Sequence, residues 1–182
     1  MIHPTAIVEN TAEIAADVEI GAYAVIGAKV SIDSGTLVGT HATISGPTKI
    51  GKNNHIREFV TIHRGTVGGG CVTRIGNGNL LMAQTHVAHD CQLGNEIIMA
   101  NAATLAGHVE IADKASVGAY SGVHQFCRVG YEAFIGGYSV VVKDAMPYAI
   151  IQGNHAKCYG LNRLGVKRRG YSKDTIEKLN HA

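Results

Sequence analysis

The chain has 182 residues, a net charge of +2 and no Trp. That length predicts one folding unit with at most a short appendage. The small net charge argues against a nucleic-acid partner, since the basic residues are scattered apart from one cluster at Lys167, Arg168 and Arg169. No apolar run approaches the roughly 20 residues of a membrane helix, so we expect no membrane span. Since a regular repeat begins at Ile2, we expect no signal peptide.

A six-residue repeat runs through most of the chain. An aliphatic residue stands at every sixth position from Ile2 to Ile62 and, after one break, from Ile75 to Val141. The position two residues earlier is usually small, and glycine often follows the aliphatic residue. This period is typical of a parallel β-helix, in which each repeat supplies one short strand and one corner. We therefore predict an all-β fold of about eight triangular coils over residues 1–144.

The one break in the repeat lies between Ile62 and Ile75, which are thirteen residues apart. We expect a glycine-rich bulge around Gly68, Gly69 and Gly70 to replace one strand there. Such a loop is either merely flexible or functional, and its position within a regular scaffold leaves both interpretations open.

The six-residue repeat ends after Val141. We predict a second, non-repetitive region over residues 145–182. Residues 145–170 suggest an extended segment. Ser172 is a suitable N-cap for a helix continuing to about Asn180, so we expect the chain to finish in the start of a helical region.

Two of the four cysteines, Cys91 and Cys127, occupy the small inward position of the repeat. They are therefore expected to fill the core, and the chain contains no C-x-x-C pair. We expect neither a disulfide nor a cysteine metal site, which fits a reducing, cytoplasmic compartment.

Histidines converge on one corner of the predicted prism. Residues 18 apart stack in adjacent coils, about 4.8 Å from each other. One vertical column at this corner therefore contains His89, Gly107 and Gln125. A second set, His86, His108 and His124, lies beside that column. A solvated corner accepts histidine, but four within three coils favour a functional interpretation. One imidazole would act as a general base, with Asp90 or a backbone carbonyl fixing its tautomer.

The same histidines suggest a metal site as an alternative. His89 and His124 lie two coils apart, which is loosely similar to the zinc ligands of γ-class carbonic anhydrases. No further histidine follows around Val129 to complete that set. We therefore predict no metal and no other cofactor.

Longer motifs make this corner specific. They are REFVTIHRGT at 57–66, NLLM at 79–82, HVAHDC at 86–91, ATLAGHV at 103–109, VHQFC at 123–127, QGNHA at 152–156 and KRRG at 167–170. Together they resemble the acyl-[acyl-carrier-protein]–UDP-N-acetylglucosamine O-acyltransferase family over essentially the whole chain. That family carries out the first committed step of lipid A synthesis. The resemblance implies a left-handed helix and a homotrimer with active sites in the clefts between subunits.

The resemblance also implies roles for individual residues. His89 would be the general base that deprotonates the glucosamine 3-hydroxyl, Asp90 would orient it, and the Gly107 N–H would stabilise the oxyanion. The residues implied in substrate binding are His86, His108, His124, Gln125, Gly137, His155, Asn162 and Arg168. Of these, Gly137 would leave room for a long 3-hydroxyacyl chain. His155, Asn162 and Arg168 would reach the nucleotide from a neighbouring subunit.

Two differences from the family keep other functions open. Typical members carry a further coil and an external loop between the segments 48–51 and 57–58, and an acidic residue where this chain has Leu164. There are therefore three alternatives to the UDP-N-acetylglucosamine enzyme with its acyl carrier protein donor. They are an acyltransferase using another UDP-sugar or acyl-coenzyme A, a metal lyase similar to γ-class carbonic anhydrases, and an inactive scaffold.

Overall fold

A computed structural model describes residues 1–181. The first half of the prism contains β1 (Ile7–Val8), β2 (Glu13–Ile14), β3 (Glu19–Ile20), β4 (Val25–Ile26), β5 (Val30–Ile32), β6 (Leu37–Val38), β7 (Thr43–Ile44), β8 (Thr48–Ile50), β9 (His55–Ile56) and β10 (Thr61–Ile62). The second half contains β11 (Thr73–Ile75), β12 (Leu80–Leu81), β13 (His86–Val87), β14 (Gln92–Leu93), β15 (Ile98–Met99), β16 (Thr104–Leu105), β17 (Glu110–Ile111), β18 (Ser116–Val117), β19 (Gly122–Val123), β20 (Arg128–Val129), β21 (Phe134–Ile135) and β22 (Val140–Val141). The C-terminal elements are β23 (Ala149–Gln152), β24 (Lys157–Leu161), α1 (Arg163–Arg168) and α2 (Lys173–His181).

Every third strand joins the same sheet, so the chain winds around three parallel sheets. The first sheet runs from β1 through β4 to β22, the second from β2 through β5 to β20, and the third from β3 through β6 to β21. Neighbouring strands are in register at 18-residue spacing, as in Ile7 with Val25. The architecture is the left-handed β-helix of about eight coils that the repeat and the resemblance predicted.

The inside of the prism follows the repeat. From Ile20 to Val141, the repeated aliphatic residue of each strand is buried. The residue immediately before it in the strand faces outward. The small residues two positions earlier, such as Ala24 and Ala103, are also buried. One large and one small inward side chain per repeat fill the narrow core. At the N-terminal end the burial is incomplete, since Ile2 is exposed and Val8 is only half-buried.

The break in the repeat is an insertion between two consecutive strands, so the expectation of a lost strand was wrong. β10 belongs to the first sheet and β11 is the next strand, in the second sheet. The register across the break is preserved, with Thr61 paired to His86 and Thr48 to Thr73. The chain therefore bulges outward at one corner while the coil stays complete. We call residues 63–72 the glycine loop; it contains a 3-10 turn at Val67–Gly69.

Beyond the regular coils, β23 adds to the third sheet parallel to β21, and β24 pairs with β23 antiparallel. The predicted N-cap at Ser172 is confirmed, because its Oγ accepts a hydrogen bond from the Thr175 N–H at 3.1 Å. The segment predicted as extended is partly helical instead, since Asn162 caps α1 through the Gly165 N–H. The division at residue 144 stays a prediction. Among residues 1–181, no helix is long and apolar enough to cross a membrane.

Candidate active site

The histidine corner lies between the first and second sheets, just after β13, β16 and β19. Asp90, His108 and Phe126 occupy equivalent corner positions in successive coils, each with φ between 60° and 64°. L-residues seldom adopt this left-handed backbone. Here it is imposed by the tight corner, and it places functional side chains on adjacent coils.

A histidine–carboxylate pair forms the centre of the corner. The His89 Nδ1 lies 2.8 Å from the Asp90 Oδ2. The Asp90 side chain is fully buried, while 43% of the His89 side chain is exposed. Because an ionised carboxylate only accepts, the proton of the pair lies on Nδ1, which leaves Nε2 with a free lone pair. The buried acid thus orients a partly exposed base.

Asp90 is held in its ionised form. Burial disfavours its charge, but hydrogen bonds from Thr66 and His89 and the nearby His108 outweigh burial and place the pKa of Asp90 below its ordinary value. The His108 Nε2 lies 3.8 Å from the Asp90 Oδ2. The pair therefore keeps a negative partner for the imidazolium that forms when His89 takes a proton.

The glycine loop supplies the other contacts to Asp90. The Thr66 N–H donates to Oδ1 at 2.7 Å, and the Thr66 hydroxyl donates to Oδ2 at 2.6 Å. The Asp90 N–H itself donates to the Thr73 hydroxyl at 2.9 Å. We did not predict Thr66 and Thr73 as site residues from the sequence, because its pattern leaves open whether this loop is flexible or functional.

Gly107 lies directly against the base. A Cβ built on Gly107 would approach the His89 Cε1 to 2.5 Å and Nε2 to 2.6 Å, closer than real Cβ contacts. Only glycine therefore permits the observed ring position. Within the described chain the Gly107 N–H has no backbone or side-chain acceptor, so it remains available as a donor beside Nε2.

Aromatic packing and hydrogen bonding fix the neighbouring histidines. The His108 ring stacks on Phe126 with a centroid distance of 4.7 Å and meets the His89 ring edge-on at 5.1 Å. The His86 Nδ1 is 2.7 Å from the Thr61 hydroxyl. Burial, with a smaller contribution from His63, lowers the pKa of His86. His86 is therefore neutral near pH 7 and both donates and accepts hydrogen bonds.

The remaining predicted residues fall into two groups. His124 and Gln125 lie exposed on the next coil of the same corner, below Gly107. Gly137 follows β21 and so lies at the corner between the third and first sheets. His155, Asn162 and Arg168 belong to the C-terminal region. The single chain thus brings together His86, His89, Asp90, Gly107, His108, His124 and Gln125. Gly137 lies at a different corner and Asn162 and Arg168 lie at α1, whereas His155 follows Asn154, which forms a β-bridge with Val140 at the end of the first sheet.

The donor set of the corner bears on the metal alternative. His89, Asp90 and His108 each offer a ligand atom, and these atoms lie within 4.8 Å of one another. Both Asp90 oxygens, however, already accept hydrogen bonds from Thr66, and Oδ2 also accepts from His89. This arrangement matches a base and its orienting acid, so the absence of a metal stays our prediction.

The buried cysteines do not contribute a nucleophile to the corner. Burial is the main factor that raises the pKa of Cys91 to about 11. Its thiol donates to the Ala106 carbonyl at 3.1 Å. Cys91 and Cys127 are both free and buried, as the repeat predicted.

The sequence and the fold of the chain are similar to those of known proteins. A family model described as UDP N-acetylglucosamine O-acyltransferase, domain 2, matches residues 144–182. The solved UDP-N-acetylglucosamine O-acyltransferase (LpxA) of Moraxella catarrhalis is 40% identical, with a TM-score of 0.86, and the match covers 99% of this chain and 82% of that one. LpxA from Acinetobacter baumannii is also 40% identical, with a TM-score of 0.85 over 99% of this chain and 81% of that one. The UDP-N-acetylglucosamine acyltransferase of Campylobacter jejuni is 35% identical, with a TM-score of 0.83 over 100% of this chain and 82% of that one.

A left-handed β-helix with a histidine–carboxylate pair at one corner defines this chain as a hexapeptide-repeat O-acyltransferase. The identities and coverages place it more narrowly. It belongs to the UDP-N-acetylglucosamine O-acyltransferase family.

Proposed function

We propose that this enzyme transfers a 3-hydroxyacyl chain from acyl carrier protein to the 3-hydroxyl of UDP-N-acetylglucosamine, the first step of lipid A synthesis. The observation that carries the proposal is the corner itself. The partly exposed His89 is paired with the buried Asp90, and its Nε2 lies against Gly107. This arrangement fits base-assisted attack of a hydroxyl on an acyl thioester.

The proposed mechanism begins with His89 as general base. Its Nε2 takes the proton of the sugar 3-hydroxyl as that oxygen attacks the thioester carbonyl carbon. The carbonyl π electrons move onto oxygen, and the Gly107 N–H donates to this oxyanion. When the tetrahedral intermediate collapses, the C–S bond breaks and the imidazolium returns the proton to the departing sulfur. Asp90 stays ionised throughout and offsets the positive charge of His89.

The neighbouring polar side chains would hold the acceptor. His86, His108, His124 and Gln125 lie along the same corner as the base and offer donors to the sugar and diphosphate. His155, Asn162 and Arg168 would reach the nucleotide from a neighbouring subunit and so complete the site. Gly137 is exposed, and a Cβ there would lie 3.3 Å from the Ala119 carbonyl oxygen, so the absence of a side chain would leave room for a long acyl chain.

We also propose a homotrimer in the cytoplasm. The histidine corner faces solvent on the single chain, with His124, Gln125 and Phe126 all exposed. A groove of about 980 Å³ runs along the second sheet instead, and its lining includes none of the corner histidines. Exposed apolar side chains follow the outside of the third sheet, among them Leu37, Ile98 and Phe134. A second subunit would cover apolar surface and supply the missing wall of the site.

A panel of substrates tests the proposed reaction. Purified enzyme is incubated with 3-hydroxyacyl and unsubstituted thioesters of acyl carrier protein and of coenzyme A, each with UDP-N-acetylglucosamine or another UDP-sugar. We expect the highest kcat/KM for 3-hydroxyacyl carrier protein with UDP-N-acetylglucosamine. Preference for another UDP-sugar or for coenzyme A would replace this assignment by one of the alternatives. No transfer in any pairing, with a folded protein, would support an inactive scaffold.

A further inference from the structure

Thr66 occupies an unusual position for its residue type. It stands at the N-cap of the 3-10 turn at Val67–Gly69, where a threonine hydroxyl ordinarily accepts a hydrogen bond from the turn. Its side chain makes no such capping bond. The hydroxyl and the N–H of Thr66 instead both donate to Asp90, at 2.6 and 2.7 Å. Each donor binds a different oxygen of the Asp90 carboxylate, so together they fix the plane of that carboxylate.

Other residues of the glycine loop allow Thr66 to form these two hydrogen bonds with Asp90. Gly69 lies so close to the Asp90 carboxylate that a Cβ there would overlap it, whereas a Cβ at Gly68 would meet open space. The N–H groups of Gly69 and Cys71 both donate to the Thr66 carbonyl, at 3.0 and 2.9 Å. The turn therefore closes on Thr66 itself.

We propose that Thr66 is a positioning residue for the reaction, which holds the Asp90 carboxylate in the orientation that aligns His89. This inference rests on the proposed function, since it assigns Thr66 a part in supporting the base. Thr66 acts through Asp90, whose Oδ2 accepts from the Thr66 hydroxyl and from His89 Nδ1. Thr66 is therefore the first residue of a hydrogen-bonded series that continues through Asp90 to His89, the proposed base.

The electrostatic consequence of losing the Thr66 hydroxyl has a definite sign. The titratable groups facing Asp90 are His89, His108 and the neutral thiol of Cys91. With one donor removed, the carboxylate has fewer partners that share its charge, and so it stabilises the protonated form of His89 more strongly. The pKa of His89 should therefore rise, and the acid limb of the kcat/KM profile should move to higher pH.

The decisive variants differ in that hydroxyl. Thr66→Val keeps the shape and the N–H but removes the O–H, whereas Thr66→Ser restores it. We expect Thr66→Val to lower kcat about tenfold or more, as for the loss of one charge-assisted hydrogen bond, with little change in KM. Thr66→Ser should recover both the rate and the pH profile. Val67→Ala, in the same loop at a side chain that is 93% exposed, should match wild type.

A second pair of variants tests the loop without touching Thr66. Gly69→Ala should reproduce the slower rate and the shifted profile, because its methyl group would displace the loop from Asp90. Gly68→Ala should behave like wild type. Equal rates for the two alanine variants would contradict the proposal that the glycine loop positions the Asp90 carboxylate.

A direct titration separates this inference from the proposed function. The pKa of His89 is measured by NMR in wild type, Thr66→Val and Thr66→Ser, with the resonance assigned by its absence in His89→Gln. We expect a higher pKa in Thr66→Val alone. An unchanged pKa in a folded Thr66→Val protein would overturn the role of Thr66, whatever the reaction is. A wild-type rate in His89→Ala would instead overturn the proposed function.

Discussion

At the scale of single residues, the site depends on one glycine and one carboxylate. Gly107 has no side chain, which lets the His89 ring occupy the space above it. Asp90 is buried and ionised because its hydrogen bonds outweigh its desolvation. Both features concern the position and charge of the base, so small changes at either residue should have large effects.

Replacing Gly107 by alanine should slow acyl transfer by about 100-fold, since a misplacement of about 1 Å is enough for such a loss. The new methyl group would force the His89 ring to move. Steady-state kcat measures the effect, and Gly122→Ala, where a Cβ meets no atom within 4 Å, is the matched control. Equal kcat values for the two variants would show that the ring position does not matter.

The charge of Asp90 predicts how stability depends on pH. Its pKa in the folded protein lies below the ordinary value of 3.8. Its ionic contribution is therefore complete above about pH 3.8 and is lost as the pH falls through the lower, folded value. The difference in free energy of unfolding between wild type and Asp90→Asn should therefore not shrink between pH 7 and 5, and should shrink in solutions more acidic than about pH 3.8. Urea titrations across this range measure it. A difference that shrank between pH 7 and 5 would contradict the lowered pKa.

At the scale of elements, the coils are stabilised by the inward column and the C-terminal region by polar contacts. Glu132 is buried at 3% exposure. Its Oε1 accepts a hydrogen bond from the Tyr171 hydroxyl at 3.2 Å and lies 3.8 Å from the Arg169 Nε. These contacts attach the segment between α1 and α2 to the last coils of the prism.

Truncating one inward residue should destabilise the prism. Ile50 is almost fully buried in β8, while Lys49 on the same strand is exposed. We expect Ile50→Ala to lower the free energy of unfolding by about 2–5 kcal/mol, through lost transfer energy and the cavity left behind. Lys49→Ala should change it by less than about 0.5 kcal/mol. Chemical denaturation compares the two.

Removing the Tyr171 hydroxyl should loosen the C-terminal attachment. Burial raises the pKa of Tyr171, so its phenol stays protonated and donates to Glu132. Tyr171→Phe leaves that buried carboxylate with one fewer donor and should cost about 1.5–3 kcal/mol. Thermal unfolding measures the loss, with Tyr159→Phe at an exposed side chain as control. Identical curves for Tyr171→Phe and wild type would remove this contact from the account.

At the scale of the whole molecule, the repeat predicted most of the fold because one physical rule applies to every coil. A large aliphatic residue must face inward at each sixth position, so the strands from Val25 to Val141 and their stacking follow directly. The same 18-residue spacing brought His89 to Gly107. Sequence reasoning failed where that rule ends. The Thr66–Asp90 contact spans 24 residues through an irregular loop, and α1 is only six residues long.

The proposed homotrimer follows from the solvent exposure of the histidine corner on the single chain. We expect sedimentation to give three times the mass of one chain at micromolar concentration, because Asn162 and Arg168 at α1 lie away from the histidine corner. A stable monomer that retained full acyl transfer would show that the corner needs no second subunit.

We propose His89 as the general base of an acyl transfer to UDP-N-acetylglucosamine. The most direct test is the initial rate of 3-hydroxyacyl transfer from acyl carrier protein by wild type and His89→Ala, with His3→Ala at an exposed histidine of the first coil as control. We expect a loss of about 10²–10⁴-fold for His89→Ala and no loss for His3→Ala. A folded His89→Ala protein with the wild-type rate would contradict this proposal and move the catalytic role to another histidine of the corner.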